Sequence, residues 1–110
     1  MKFIMFVKCK EDVERDALLD AKVFADMTKF NNKLEKAKVL VTLDGLQPSS
    51  KGVRLSYLSN KEPIAMEDPC SNPEDLIEGF WIIDVKSKEE AINWAKRVPF
   101  SGGVVEVRPI

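Results

Sequence analysis

The stretch Gly79-Phe-Trp-Ile-Ile-Asp-Val-Lys-Ser-Lys-Glu-Glu-Ala-Ile-Asn-Trp-Ala95 changes its periodicity midway, and that change decides the fold. Over residues 79–85 the side chains alternate with a period of two. Phe80, Ile82 and Asp84 fall opposite Trp81, Ile83 and Val85, as in a strand. Ser87-Lys-Glu-Glu90 then reads as a capping box, with the Ser87 hydroxyl and the Glu90 carboxylate placed to accept from amide N–H groups at a helix start. Beyond it Ala91, Trp94, Ala95 and Val98 recur at helical spacing, and Pro99 ends the helix. Ser101-Gly-Gly103 turns into a last strand over 104–107. The second half of the chain is strand, helix, strand.

The first half has the same order without repeating the sequence. Residues 2–8 put Phe3, Met5 and Val7 on one alternation and Ile4 and Phe6 on the other, the pattern of a strand covered on both sides. From about 16 to 36 the period becomes helical, and Leu19, Val23, Met27, Phe30, Leu34 and Ala37 form one apolar stripe. Residues 39–43 predict a second strand, again apolar on both faces, running into the turn-rich Asp44-Gly-Leu-Gln-Pro-Ser-Ser50. Residues 52–58 and 62–66 predict a hairpin through Ser59-Asn-Lys61, with Pro63 marking the return strand as an edge or a distorted one.

The whole order is β-α-β-β-β-α-β in a single domain, 1–110, with no repeat and no linker. It predicts an α+β ferredoxin-like sandwich, an antiparallel sheet with both helices on one face. Two helices cover only one face of such a sheet, yet its strands are apolar on both. The second face therefore calls for a partner, and a second copy of the chain is the simplest one. A homodimer with sheets packed face to face is expected.

Composition narrows the function classes. Seventeen basic and 18 acidic residues are mixed along the chain for a net charge of −1, which lacks the basic stripe of a nucleic-acid binder. No apolar run approaches the ~20 residues needed to span a bilayer. The apolar start breaks off at Lys8-Cys-Lys-Glu-Asp12 without a cleavage site of small residues, so it reads as a strand and the cytoplasm is the expected location. There is no histidine, which removes the commonest neutral metal ligand and the usual general base. Cys9 and Cys70 match no zinc spacing and read as reduced thiols. Neither a metal nor a cofactor is expected. Acid–base chemistry would fall to carboxylates, lysines, Tyr57 or a thiol.

With the elements placed, the chain resembles the YCII-related family, in particular its DGPF subgroup, over nearly its whole length. The resemblance rests on Met1-Lys-Phe-Ile-Met5, Phe30-Asn31, Asp44-Gly-Leu-Gln-Pro-Ser-Ser50, Leu76-Ile-Glu-Gly-Phe-Trp-Ile-Ile-Asp-Val85, Glu89-Glu-Ala-Ile-Asn-Trp-Ala95 and Val105-Glu-Val-Arg-Pro109. It implies a dimeric α/β-barrel assembly, a small pocket at the sheet and bacterial cytoplasm as the usual setting. Some relatives look like small enzymes acting on cyclic or chlorinated organic acids with a histidine–aspartate pair; others are encoded with alternative sigma factors. The subgroup signature Asp-Gly-Pro-Phe corresponds here to Glu67-Asp-Pro-Cys70, so only the proline is kept. Lys38 stands where a glycine is usual before the second strand, and no histidine is present to carry the pair chemistry.

Glu67 and Asp68 are the candidate catalytic carboxylates, in an acidic run that continues through Glu74, Asp75 and Glu78. Set against an apolar pocket, such a group would have its pKa raised toward that of a general base. The same run also reads as a solvated connection. Asn31, Asp44, Arg54 and Trp81 are the candidate ligand-binding residues, with Arg54 suited to grip the carboxylate of a small organic acid through paired hydrogen bonds. Two functions follow. One is a ligand-binding or regulatory module, with a small organic acid and a regulatory protein as partners. The other is a small enzyme with a carboxylate general base acting on a cyclic or aromatic acid.

Overall fold

The computed structural model describes residues 1–9, 21–58, 60–66, 76–100 and 103–110. Its elements are β1 (Lys2–Cys9), α1 (Ala21–Lys36), β2 (Leu40–Gly45), a single 3₁₀ turn at Ser49–Lys51, β3 (Arg54–Ser56), β4 (Ile64–Met66), β5 (Ile77–Asp84), α2 (Lys88–Ala95) and β6 (Gly103–Pro109). Four strands form one antiparallel sheet in the order β2-β5-β1-β6. Each helix joins two strands that lie one apart in the sheet, which is the split β-α-β arrangement of the ferredoxin-like sandwich. The remaining two strands, β3 and β4, pair only with each other. No helix of the described residues is long and apolar enough to cross a membrane.

The alternation expected of β1 and β5 is the one observed. Phe3, Met5 and Val7 pair with Ile83, Trp81 and Gly79, and these side chains point into the core beneath the helices. Phe30 and Leu34 from α1 and Ala91 and Val98 from the α2 region complete that core. Ile4, Phe6, Phe80 and Ile82 form two cross-strand rows on the opposite face and are half-buried. Ala37, expected on the stripe of the first helix, is exposed, because the helix has ended there.

One expectation for β2 is corrected. The strand is not apolar on both faces, because its register against β5 slips between Leu40 and Thr42. Leu40 pairs with Ile83 and Leu43 with Trp81, so the bulge at Val41 brings two leucines three residues apart onto the same core face. Thr42 and Asp44 take the other face, opposite Ile82 and Phe80. The hairpin is also shorter than the 52–58 and 62–66 expected, and its Val53, Leu55, Tyr57 and Ile64 are exposed. Asn60, at its tip, takes the left-handed conformation (φ 63°) that asparagine tolerates.

Both helix ends follow local chemistry. Ser87 Oγ accepts from the Glu90 backbone N–H (3.2 Å) and Glu90 Oε2 accepts from the Lys86 N–H (2.9 Å), a reciprocal cap of the expected type. At the end of α1 the Lys38 N–H donates to the Glu35 carbonyl and the Val39 N–H to the Leu34 carbonyl, a Schellman closure. It places Lys38 at φ 60°, where a side chain is strained and glycine is not. Lys38→Gly is expected to stabilise the domain by about 1 kcal/mol, seen as a rise of roughly 4 °C in Tm. An unchanged or lowered Tm would show that the lysine offsets its backbone strain elsewhere.

Candidate functional site

A cavity of about 310 Å³ opens between α1 and the ends of β2 and β5. Helix α1 contributes Val23, Phe24, Met27 and Asn31, and β1 contributes Val7. Leu43, Asp44, Gly45 and Leu46 line it from β2 and its exit, and Glu78, Gly79, Phe80 and Trp81 from β5. The volume lies at the lower end of the range for small-molecule sites, and the mostly apolar wall with a few polar groups is typical of them.

The register explains why space is left there. Gly45 and Gly79 are directly opposite each other, at the end of the core face on which Leu43, Trp81 and Val7 stand. Two residues without side chains leave the sheet bare beneath the first turns of α1. At Gly79 nothing larger fits: a Cβ would lie 2.9 Å from the Asp44 carbonyl oxygen and 3.3 Å from Gly45 Cα. A Cβ on Gly45 would meet no atom within 4 Å, since it would project into open space. The Leu46 N–H donates to the Glu78 carbonyl at 2.6 Å and holds the strand end in place.

One wall is an aromatic and amide assembly. Trp81 is buried, packs edge-on to Phe30 at 5.3 Å between centroids, and Phe30 in turn meets Trp94 edge-on at 6.3 Å. The indole Nε1–H of Trp81 donates to Asn31 Oδ1 at 2.7 Å. A buried indole N–H needs an acceptor, and Asn31 supplies it from a helix position that also lines the cavity. Asp44 Oδ1 accepts from the Gly45 N–H at 3.1 Å, which fixes the strand exit. Glu78 lines the cavity and its Oε1 is buried.

Of the residues singled out in the sequence, Asn31, Asp44 and Trp81 are thus brought together around one cavity. Arg54 lies on β3 and is not among the lining residues. Glu67 and Asp68 fall outside the described residues. The sequence reading overlooked Gly45, Gly79 and Glu78 as parts of a site. Gly45 was legible only as a turn marker, and Glu78 only as the last member of an acidic run. Among the described residues no three potential metal ligands cluster.

The chain is thus a compact α+β sandwich with a small, mostly apolar cavity under one helix. The sequence matches the YCII-related domain over residues 1–110, and the chain belongs to that family. It is 30% identical over 94 residues to an uncharacterised protein of Rhizobium meliloti strain 1021, covering 83% of this chain and 75% of that protein. Its fold is similar to that of the 5-chloro-2-hydroxyhydroquinone dehydrochlorinase TftG from Burkholderia phenoliruptrix AC1100, solved in complex with 2,5-dihydroxybenzoquinone. That match has a TM-score of 0.50 and 13% identity, and covers 96% of this chain and 91% of the other.

Proposed function

We propose that this YCII-related protein is a small homodimeric module, working in the cytoplasm, that binds a small ring-shaped organic molecule in the cavity under α1. The observation that carries the proposal is the bare Gly45–Gly79 floor, walled by Trp81, Met27 and Leu43, with Asn31 as a polar group among them. TftG, which shares the fold, holds a six-membered ring compound. A carboxylate on the ligand would want a cation, and Arg54 does not reach the lining. The walls address a ring more than an acid group. Binding without turnover suits a regulatory role exerted through a protein partner.

The homodimer rests on the open sheet face. Ile4, Phe6, Phe80 and Ile82 form a half-buried apolar patch on the face opposite the two described helices. Beside it Glu106 bridges Lys8 (3.2 Å) and Arg108 (3.4 Å), and Lys8 Nζ stands 5.5 Å from the Phe6 ring centroid. An apolar centre with a charged rim is the usual anatomy of an interface.

The test is a thermal-shift screen of small aromatic and cyclic compounds against the protein and a Gly45→Phe variant. A ligand at a hundredfold excess over its Kd adds about 2.7 kcal/mol, roughly 10 °C in Tm for a domain of this size. A Cβ on Gly45 meets no atom within 4 Å, so the phenylalanine side chain has room to start from this lining position, and the variant is expected to abolish the shift while keeping the fold. Shifts that survive in the variant would place the ligand elsewhere. The buried Glu78 Oε1 favours a second reading, a small enzyme with a carboxylate general base acting on a cyclic or aromatic acid. Conversion of a bound ligand to product, followed by chromatography, would select that reading over the first.

A further inference from the structure

Resting on the cavity as a ligand site, we infer the class of ligand it selects: a flat ring bearing an oxygen that accepts a hydrogen bond from Asn31. Two independent features point to it. The first is the orientation of the Asn31 amide. An indole N–H can only donate, so the amide atom 2.7 Å from Trp81 Nε1 must be the oxygen. The two N–H groups on Nδ2 are therefore turned away from Trp81, and among the described residues they donate to no protein acceptor. Asn31 is half-buried and lines the cavity, so its two Nδ2 N–H groups are donors available there, beside the second lone pair of Oδ1. A ligand oxygen is the complement of those donors.

The second feature is the floor. Gly45 and Gly79 sit opposite each other in adjacent strands, so the surface beneath the ligand is peptide backbone with no side chain rising from it. With no side chain in the way, a planar ring can lie directly against this pleated backbone and keep dispersion contact along it. A puckered ring touches such a floor at fewer points and loses dispersion contact across each gap. Val7 and Leu43 close the sides, and Trp81 the end, with apolar surface that a charged ring substituent would have to desolvate. Planarity and one acceptor oxygen are thus read by different parts of the same cavity. Trp81 acts here as a positioning residue, because it fixes which edge of the Asn31 amide the ligand meets.

Four small probes separate these features by titration calorimetry: acetophenone, its puckered analogue cyclohexyl methyl ketone, aniline as a ring with an N–H donor, and toluene as a ring with neither. Acetophenone is expected to bind at least about tenfold more tightly than cyclohexyl methyl ketone and toluene, the factor of one hydrogen bond or its equivalent in contact. Aniline, whose N–H groups can meet the Asp44 or Glu78 carboxylate, is the reference for the Asn31 donor. Asn31→Asp keeps an acceptor for the Trp81 Nε1–H but removes the donor, and is expected to weaken acetophenone about tenfold while strengthening aniline relative to it. A Trp81 indole N–H signal unchanged from the parent in the ¹⁵N spectrum would confirm that the variant keeps its indole environment. Flat and puckered ketones binding alike, or an acetophenone affinity unmoved by Asn31→Asp, would overturn this inference and leave the cavity as a ligand site. If none of the four binds at millimolar concentration, both readings fail together.

Discussion

Truncating Trp81 to alanine is expected to cost about 3–5 kcal/mol, the range for removing a buried large aromatic side chain. That is a large part of the about 5–15 kcal/mol by which a domain is stable. The indole is 6% exposed and stands at the centre of the core cluster, edge-on to Phe30 and beside Met5 and Leu43 in neighbouring strands. Its loss would open a void that α1 cannot fill without leaving the sheet, and would also leave Asn31 Oδ1 without its donor. Urea denaturation measures the cost directly. Trp81→Phe separates packing from hydrogen bonding: it keeps an aromatic ring and is expected to cost only about 1–3 kcal/mol. An alanine variant within about 1 kcal/mol of the parent would mean that α1 does not depend on this wall.

Phe6→Asp is expected to convert the proposed homodimer to monomer. Phe6 sits between Phe80 and Glu106 in one cross-strand row, with Ile4 and Ile82 in the next row of the same face. In a single chain that position is half-buried, so a carboxylate there keeps contact with water and the fold survives. Between two packed sheets the same carboxylate would be desolvated beside a Lys8 already engaged by Glu106, at a cost of about 3–5 kcal/mol. That corresponds to a rise of at least about a hundredfold in the dimer Kd. Sedimentation velocity at micromolar concentration distinguishes the two states. A parent that is already monomeric would remove the sheet-to-sheet dimer; a variant that stays dimeric would move the interface to another surface, such as the exposed β3–β4 hairpin.

What was legible in the sequence follows how local each signal is. The change of period in 79–95 identified β5 and α2, and the capping box formed with the residues that the spacing named, Ser87 and Glu90. The alternation of Phe80 and Trp81 correctly put one of them under the helices and the other on the open face. Lys38, noted as a substitute for a usual glycine, does occupy a left-handed position. The strand β2 was misread because a bulge is invisible to a period-two pattern; only pairing with β5 shows that Val41 is the extra residue. The cavity was hidden for a related reason. It depends on two glycines 34 positions apart in the chain falling into register, and no spacing in one sequence reports a register. Asn31, Asp44 and Trp81 were named as single polar or aromatic residues, and their convergence on one cavity is a product of the fold.

The cavity as a small-molecule site is tested most directly by titrating ¹⁵N-labelled protein with acetophenone while following the two indole N–H signals. Trp81 lines the cavity and Trp94 does not, so each reports on a different place. The expected result is a saturable shift of the Trp81 indole and of the Gly45 and Gly79 amides, with Trp94 nearly unmoved. A titration to millimolar concentration that leaves Trp81 and both glycines where they were, or moves only residues of the open sheet face, would contradict it.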